Sequence, residues 1–169
     1  GSIAQMTLPY AQPVFQLLEI PKIYFGWISA AFFLCRGIGS WYSEKLGRIF
    51  TIDKYLVLHA SVFALFLIVM QHVTSVFYIL PVFGILFFLR GLYAPTVSTY
   101  VNEKVGSDKR ATMLSMNQQI LTAISALGLT GLGVIAEIYG LWRAFSVISI
   151  LSLVFLVGYV VSLRKVEMD

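Results

Sequence analysis

Charge is scarce in this sequence. Only 12% of the 169 residues are Asp, Glu, Lys or Arg, about half the share of a soluble domain. By contrast 59% are hydrophobic, and the mean hydropathy is +0.85. A soluble domain of this length needs one apolar core, not several apolar blocks each near the ~20 residues that cross a bilayer. Cysteine is nearly absent too. Cys35 stands alone in an apolar block, which excludes an internal disulfide framework and a cysteine zinc site and leaves a small packing residue. Histidine occurs twice, as His59 and His72, and neither H-E-x-x-H nor G-x-S-x-G is present. Those histidines read as structural or interfacial, and no enzyme activity, metal site or cofactor is expected. The net charge of +4 does not point to nucleic acid, because the basic residues sit in short gaps between apolar blocks instead of along one face.

What is present reads as an all-α polytopic membrane bundle, one membrane domain over residues 1–169. Five complete spans are predicted, at about residues 23–43, 55–73, 76–100, 113–137 and 142–163. The segment 3–18 is apolar but short: as a helix it reaches ~24 Å against the ~30 Å of hydrocarbon. Pro9 and Pro13 are expected to bend it. It reads as the end of a span that starts earlier, so the chain is expected to be part of a larger membrane domain.

The gaps between spans orient the bundle. Lys45, Arg48 and Lys54 fall in one gap, Lys104, Lys109 and Arg110 in another, and Arg164 and Lys165 follow the last span, against Lys22 and Arg143 on the opposite side. That asymmetry places the basic side, with the C-terminus, in the cytoplasm of a cell-membrane protein. Aromatic residues mark both interfaces: Tyr24, Trp27, Tyr78, Tyr139 and Trp142 outside, Trp41, Tyr42, Tyr55, Tyr100 and Tyr159 inside. Short connections predict sequential helices as antiparallel neighbours.

Polarity divides the spans. Residues 55–73 and 142–163 carry little that is polar and can face lipid on most sides. Elsewhere polar residues recur at helical spacing: Gln5, Gln12 and Gln16; Ser29, Arg36, Ser40 and Ser43; Ser115, Gln118, Gln119, Thr122 and Ser125. Such stripes either hold helices together or line a solute path. Arg36 and Arg90 lie within spans, and no Asp or Glu occupies a span interior. An arginine at the centre of a helix opposes insertion by about 2.5–3.5 kcal/mol, so each must snorkel, pair with a carboxylate beyond this chain, or meet an anionic solute. Pro95, Gly84, Gly91, Gly128, Gly131 and Gly133 mark sites of close packing or bending.

Two stretches resemble the major facilitator superfamily. "SWYSEKLGR" is similar to that family's loop signature G-x-x-x-D-[RK]-x-G-[RK], with Ser40 and Glu44 in place of the first glycine and the acid, then Lys45, Gly47 and Arg48. "RGLYAPTVSTYVNEKVGSDKRATMLSMNQ" is similar to the region from the tenth to the eleventh helix of many bacterial members, through Arg90, Gly91, Pro95, Glu103, Arg110, Ala111, Thr112 and Ser115. The resemblance implies the half of such a transporter from late helix seven to helix twelve, with seven, eight, ten and eleven facing a central cavity. It implies a gating loop at Ser40, Glu44, Lys45, Gly47 and Arg48, and an N-terminal half of the same transporter as partner. The solute or coupling path is expected at Arg36, Arg90, Gln12, Gln118, Gln119 and Thr122. The passenger is a small solute, drugs, metabolites and organic anions among them, with the proton a candidate coupling ion. The competing expectation is a small membrane protein that associates with itself, with both arginines in its interface, and is no carrier.

Overall fold

The computed structural model is an all-α bundle and describes Met6, residues 8–72 and residues 75–166. Its helices are α1 (Ala11–Leu17), α2 (Phe25–Ile49), α3 (Ile52–Gln71), α4 (Val76–Lys104), α5 (Ser107–Tyr139) and α6 (Leu141–Val166), with 3₁₀ turns at Leu8–Tyr10 and Lys22–Tyr24. Helices α2 to α6 are long and apolar enough to cross a membrane, the build of a multi-pass membrane protein. Gln5, Val73 and the side chains of Arg48, Arg164 and Lys165 lie outside the described residues.

The helices outrun the spans expected from hydropathy. α2 continues to Ile49 because nothing in S-E-K-L-G-R breaks a helix; the backbone becomes extended only at Phe50 (φ −111°, ψ 140°) and Thr51 (φ −62°, ψ 151°). Ser40, Glu44, Lys45, Gly47 and Arg48, expected in a loop, therefore belong to the last turns of α2. Likewise α5 starts at Ser107 and runs for 33 residues, ~50 Å at 1.5 Å per residue. Hydropathy marks where hydrocarbon ends, whereas the helix ends where the backbone is forced to turn. At the far end of α5 that turn is Gly140, whose φ of 89° suits glycine.

Side-chain pairings fix the direction of the helices. Cys35 neighbours Gly84 and Thr96 neighbours Gly47, so α2 and α4 run parallel. Gln71 reaches Ser149 while Asp53 accepts from Tyr159, so α3 and α6 run antiparallel. This alternation gathers Lys45, Lys54, Lys104, Lys109 and Arg110 at one end of the bundle. Sequential helices are not always close neighbours, however. α2 packs chiefly on α4 and only slightly on α3, and α3 packs chiefly on α6.

The N-terminal segment enters the core. Ala11, Val14 and Phe15 turn inward while Gln12 and Gln16 stay exposed. Phe15 meets Phe25, Phe32 and Phe83 at centroid distances of 5.4, 6.0 and 6.3 Å. Tyr10 lies 6.0 Å from Phe145 and donates to the Leu129 carbonyl at 3.3 Å. The segment thus ties α2 and α4 to α5 and α6. Pro13, expected to bend the helix, falls in its first turn, where the missing N–H has no helical acceptor to lose. Phe15→Ala should lower stability by about 3–5 kcal/mol in thermal unfolding in mild detergent; a loss near zero would contradict a wedge at this junction.

The faces left outside are those of a lipid-embedded protein. On α6, Ile150, Val154, Phe155, Val157 and Val161 are exposed in one apolar sweep. The interfacial aromatics Tyr24, Trp27, Trp41, Tyr42, Tyr78, Tyr100 and Tyr139 are exposed as expected. Trp142 and Tyr159, assigned to the same belts, are half-buried, and Tyr55 is buried. It is 2% exposed and packs against His59 with ring centroids 6.0 Å apart.

Candidate functional site

The parallel crossing of α2 and α4 is built on two glycines. A Cβ at Gly39 would strike the carbonyl of Phe88, and one at Gly91 would strike the carbonyl of Arg36. Only glycine allows the two backbones this close. Arg36 supplies one wall of the Gly91 contact, and Arg90 precedes Gly91, so the crossing brings the two arginines to one level. Arg36 is exposed at the bundle surface and Arg90 is half-buried.

Arg90 is held from behind. Its guanidinium carbon lies 6.0 Å from the centroid of the Tyr93 ring, one turn along α4. Tyr93 in turn packs against His59 of α3 at 5.4 Å. His59 is buried, and its Nε2 donates to the Leu89 carbonyl at 2.9 Å; a carbonyl can only accept, which sets the tautomer. The structural reading of His59 agrees with this placement, but its connection to Arg90 through Tyr93 could not be seen from hydropathy. The 90/93 spacing was the available signal, because i and i+3 share a helix face.

Three of the signature residues meet at the basic end. Ser40, Glu44 and Gly47 of α2 join Thr96 and Glu103 of α4 around a cavity of about 840 Å³. Ser43, expected on the same stripe as Arg36, is buried and donates to the Ser40 carbonyl at 2.6 Å. Lys45 is exposed and does not line the cavity. Arg110, from the second family-like stretch, donates to the Asn102 carbonyl at 2.7 Å. A cation on the last carbonyls of α4 is favourable and fixes its two-residue connection to α5.

Gln118, Gln119 and Thr122 gather separately. With Ser115 they line a shallow groove of about 490 Å³ on α5, and the Gln118 amide donates to the Thr122 hydroxyl at 3.4 Å. All three are exposed, whereas Ser125, next on the stripe, turns inward and donates to the Leu121 carbonyl. Gln12 stands on the outer face of α1 and lines neither this groove nor the cavity below the arginines. The expected path residues therefore occupy three places on the surface of the bundle.

A polar clamp between α3 and α6 went unforeseen. Gln71 accepts from Ser146 at 2.9 Å and donates to Ser149 at 2.7 Å. Its sequence signal was the row Ser146, Ser149, Ser152 in an otherwise apolar span, which marks the packed face. Gln71→Leu should destabilise by only about 0.6–1.7 kcal/mol in unfolding measurements, since the single Ser146 hydroxyl proton can turn wholly to the Trp142 carbonyl, also within reach, and Ser149 already donates to the Phe145 carbonyl. A much larger loss would mean that the clamp, not apolar packing, joins these helices. Among the described residues no group of His, Cys, Asp and Glu is arranged to hold a metal ion. No protein-family model, curated protein or solved structure matches this chain.

Proposed function

We propose that the chain is the C-terminal half of a secondary active transporter of major facilitator type, which moves a small solute across the cell membrane by alternating access. The observation that carries this reading is the exposure of Arg36, Gln118, Gln119 and Thr122 at the bundle surface, well inside helices of membrane-spanning length. Polar groups at that depth do not face acyl chains. They need water or a second polar surface, and an N-terminal half of the same transporter supplies both when it encloses a central cavity. The apolar sweep of α6 is then the lipid side.

The cavity at the basic end fits a gate. Glu44 and Glu103 bring carboxylates to its lining, and an acidic wall attracts the positive N-termini and basic side chains of helices from the companion half. Closing that contact shuts the cytoplasmic side, and breaking it opens the path inward. Catalysis has no part in this reading. A proton or second solute supplies the coupling.

The test uses a single cysteine at Thr122 in the full-length protein, with Cys35 replaced by alanine, and membrane-impermeant thiol reagents applied from either side. Reaction from both sides, traded against each other when solute or proton gradient is imposed, supports alternating access. A stable homodimer that buries position 122 from both sides removes it and favours the self-associating alternative. Orientation is checked apart: a fluorescent protein fused to the C-terminus should be bright and an alkaline phosphatase inactive, and the reverse result contradicts a cytoplasmic C-terminus.

A further inference from the structure

The cavity between the basic ends of α2 and α4 has a chemistry that a gate does not call for. Ser43 and Thr96 of its wall are 4% and 7% exposed. Each hydroxyl gives its proton to a carbonyl of its own helix, Ser43 to Ser40 at 2.6 Å and Thr96 to Leu92 at 2.9 Å. A hydroxyl has one donor and two acceptor positions, so both have only lone pairs left to offer. Trp41, Phe50 and Tyr100 add aromatic surface, and Glu103 adds a carboxylate. Among the described residues no Lys, Arg or His lines the cavity, although Lys45 and Lys104 each directly follow a lining residue. We infer that this cavity is a binding site for a small organic amine in its ammonium form.

An N–H donor meets lone pairs that an anion or a carbonyl would leave unsatisfied. A cation is favoured over aromatic faces and at the carboxyl ends of helices, and the last turns of both α2 and α4 line this cavity. Tyr55 is a separate sign. It stands three residues past Ile52, a lining residue, and residues at that spacing share a helix face. It is 2% exposed, and its hydroxyl has no hydrogen-bond partner. An orphaned buried hydroxyl marks a place for water or a ligand. A metal ion matches less well, because no group of His, Cys, Asp and Glu among the described residues is arranged to hold one. Glu44 has an interaction of its own, which leaves Glu103 as the carboxylate for the ammonium group. The volume of about 840 Å³ falls among small-molecule sites, ~300–1,000 Å³. Such a site needs no transport cycle and goes beyond the carrier reading.

The test uses full-length protein in neutral detergent. The probe, 1,4-diaminobutane, is titrated against sodium chloride at constant ionic strength and neutral pH, with the Tm followed by circular dichroism. A saturable rise of about 2–4 °C is expected at tenfold excess over the dissociation constant. The fully methylated analogue keeps both charges without an N–H donor and should bind at least about tenfold more weakly. Glu103→Gln should weaken the probe at least about tenfold and Trp41→Leu about two- to fivefold. Glu137→Gln, at the far end of α5, leaves the affinity unchanged. Glu103→Asp keeps the charge and should retain most of the affinity, so the question stays answerable if the glutamine variant fails to fold.

Repeating the titration in phosphatidylcholine nanodiscs, with and without phosphatidylethanolamine, separates two sources of the group. A response to the probe in phosphatidylcholine alone assigns the site to a free amine. Stabilisation by phosphatidylethanolamine with none by the probe keeps the ammonium site, gives it to a lipid headgroup and overturns the free-amine assignment. No saturable response to either, an equal response to the methylated analogue, or an undiminished response in both Glu103→Gln and Trp41→Leu overturns the site itself. Side-dependent labelling at position 122 needs no amine, so its survival alongside a failed titration would sink this inference and leave the transporter standing.

Discussion

Arg90→Ala in the full-length protein is expected to abolish solute movement while the protein remains inserted and folded. Removing a guanidinium from a span interior favours insertion by about 2.5–3.5 kcal/mol, so lost transport cannot be blamed on failed membrane entry. The neighbours that shape the site do not depend on the side chain: Gly91 still meets the Arg36 backbone, and His59 still holds the Leu89 carbonyl. What disappears is one of two cations at the α2–α4 crossing. Uptake or efflux in vesicles, compared with the amount of protein inserted, is the measurement. Unchanged transport at equal insertion would remove Arg90 from the mechanism, and absent protein would show that its role is structural.

Gly91→Leu and Gly39→Leu should be the most destabilising single changes in the bundle. Each side chain would enter the opposite backbone, which cannot step aside as a rotamer can. The helices must part, and parting loosens the stack of Phe32 on Phe87, now 5.1 Å between centroids. A loss above about 3 kcal/mol is expected. Gly158→Leu provides the contrast. Nothing lies within 4 Å of a Cβ there, and leucine is favoured over glycine inside a helix by up to ~1 kcal/mol. Unfolding in mixed detergent should rank the two crossing variants far below wild type and Gly158→Leu at or above it. Equal stability for all three would mean that the crossing is looser than described.

Much of the fold was legible because the bilayer constraint writes itself into hydropathy over ~20-residue windows. Five long helices, their alternation and the apolar outer face of α6 follow from that signal. The helix ends were not legible for the same reason. S-E-K-L-G-R leaves the apolar register but keeps the helix, so residues taken for a loop are helical. Packing partners are a second blind spot. Short connections suggested that α2 lies against α3, yet glycine contacts set it against α4. Gly84 and Gly91 were expected at sites of close packing or bending, which did not name the partner helix. Tyr55 shows the limit of the aromatic-belt rule, since a tyrosine near a span end can also fill a core.

The candidate residues could be picked out one by one in the sequence, but their arrangement could not. Intramembrane arginines stand out in any sequence this poor in charge, and Gln118, Gln119 and Thr122 share a groove as their spacing implies. That Arg36 and Arg90 lie at one level depends on a crossing between helices separated by a whole span, which no local pattern encodes. His59 and Tyr93 were hidden because their importance lies in what they brace.

The most direct test of the account is the surrounding of single nitroxide labels in the intact protein, read by power-saturation paramagnetic resonance. Labels at positions 36, 118 and 122 are expected to favour collision with a water-soluble nickel chelate, and labels at 154 and 157 to favour oxygen, which concentrates in lipid. Oxygen preference at all five positions would place the arginine face against acyl chains and contradict the wet interior on which the transporter reading depends.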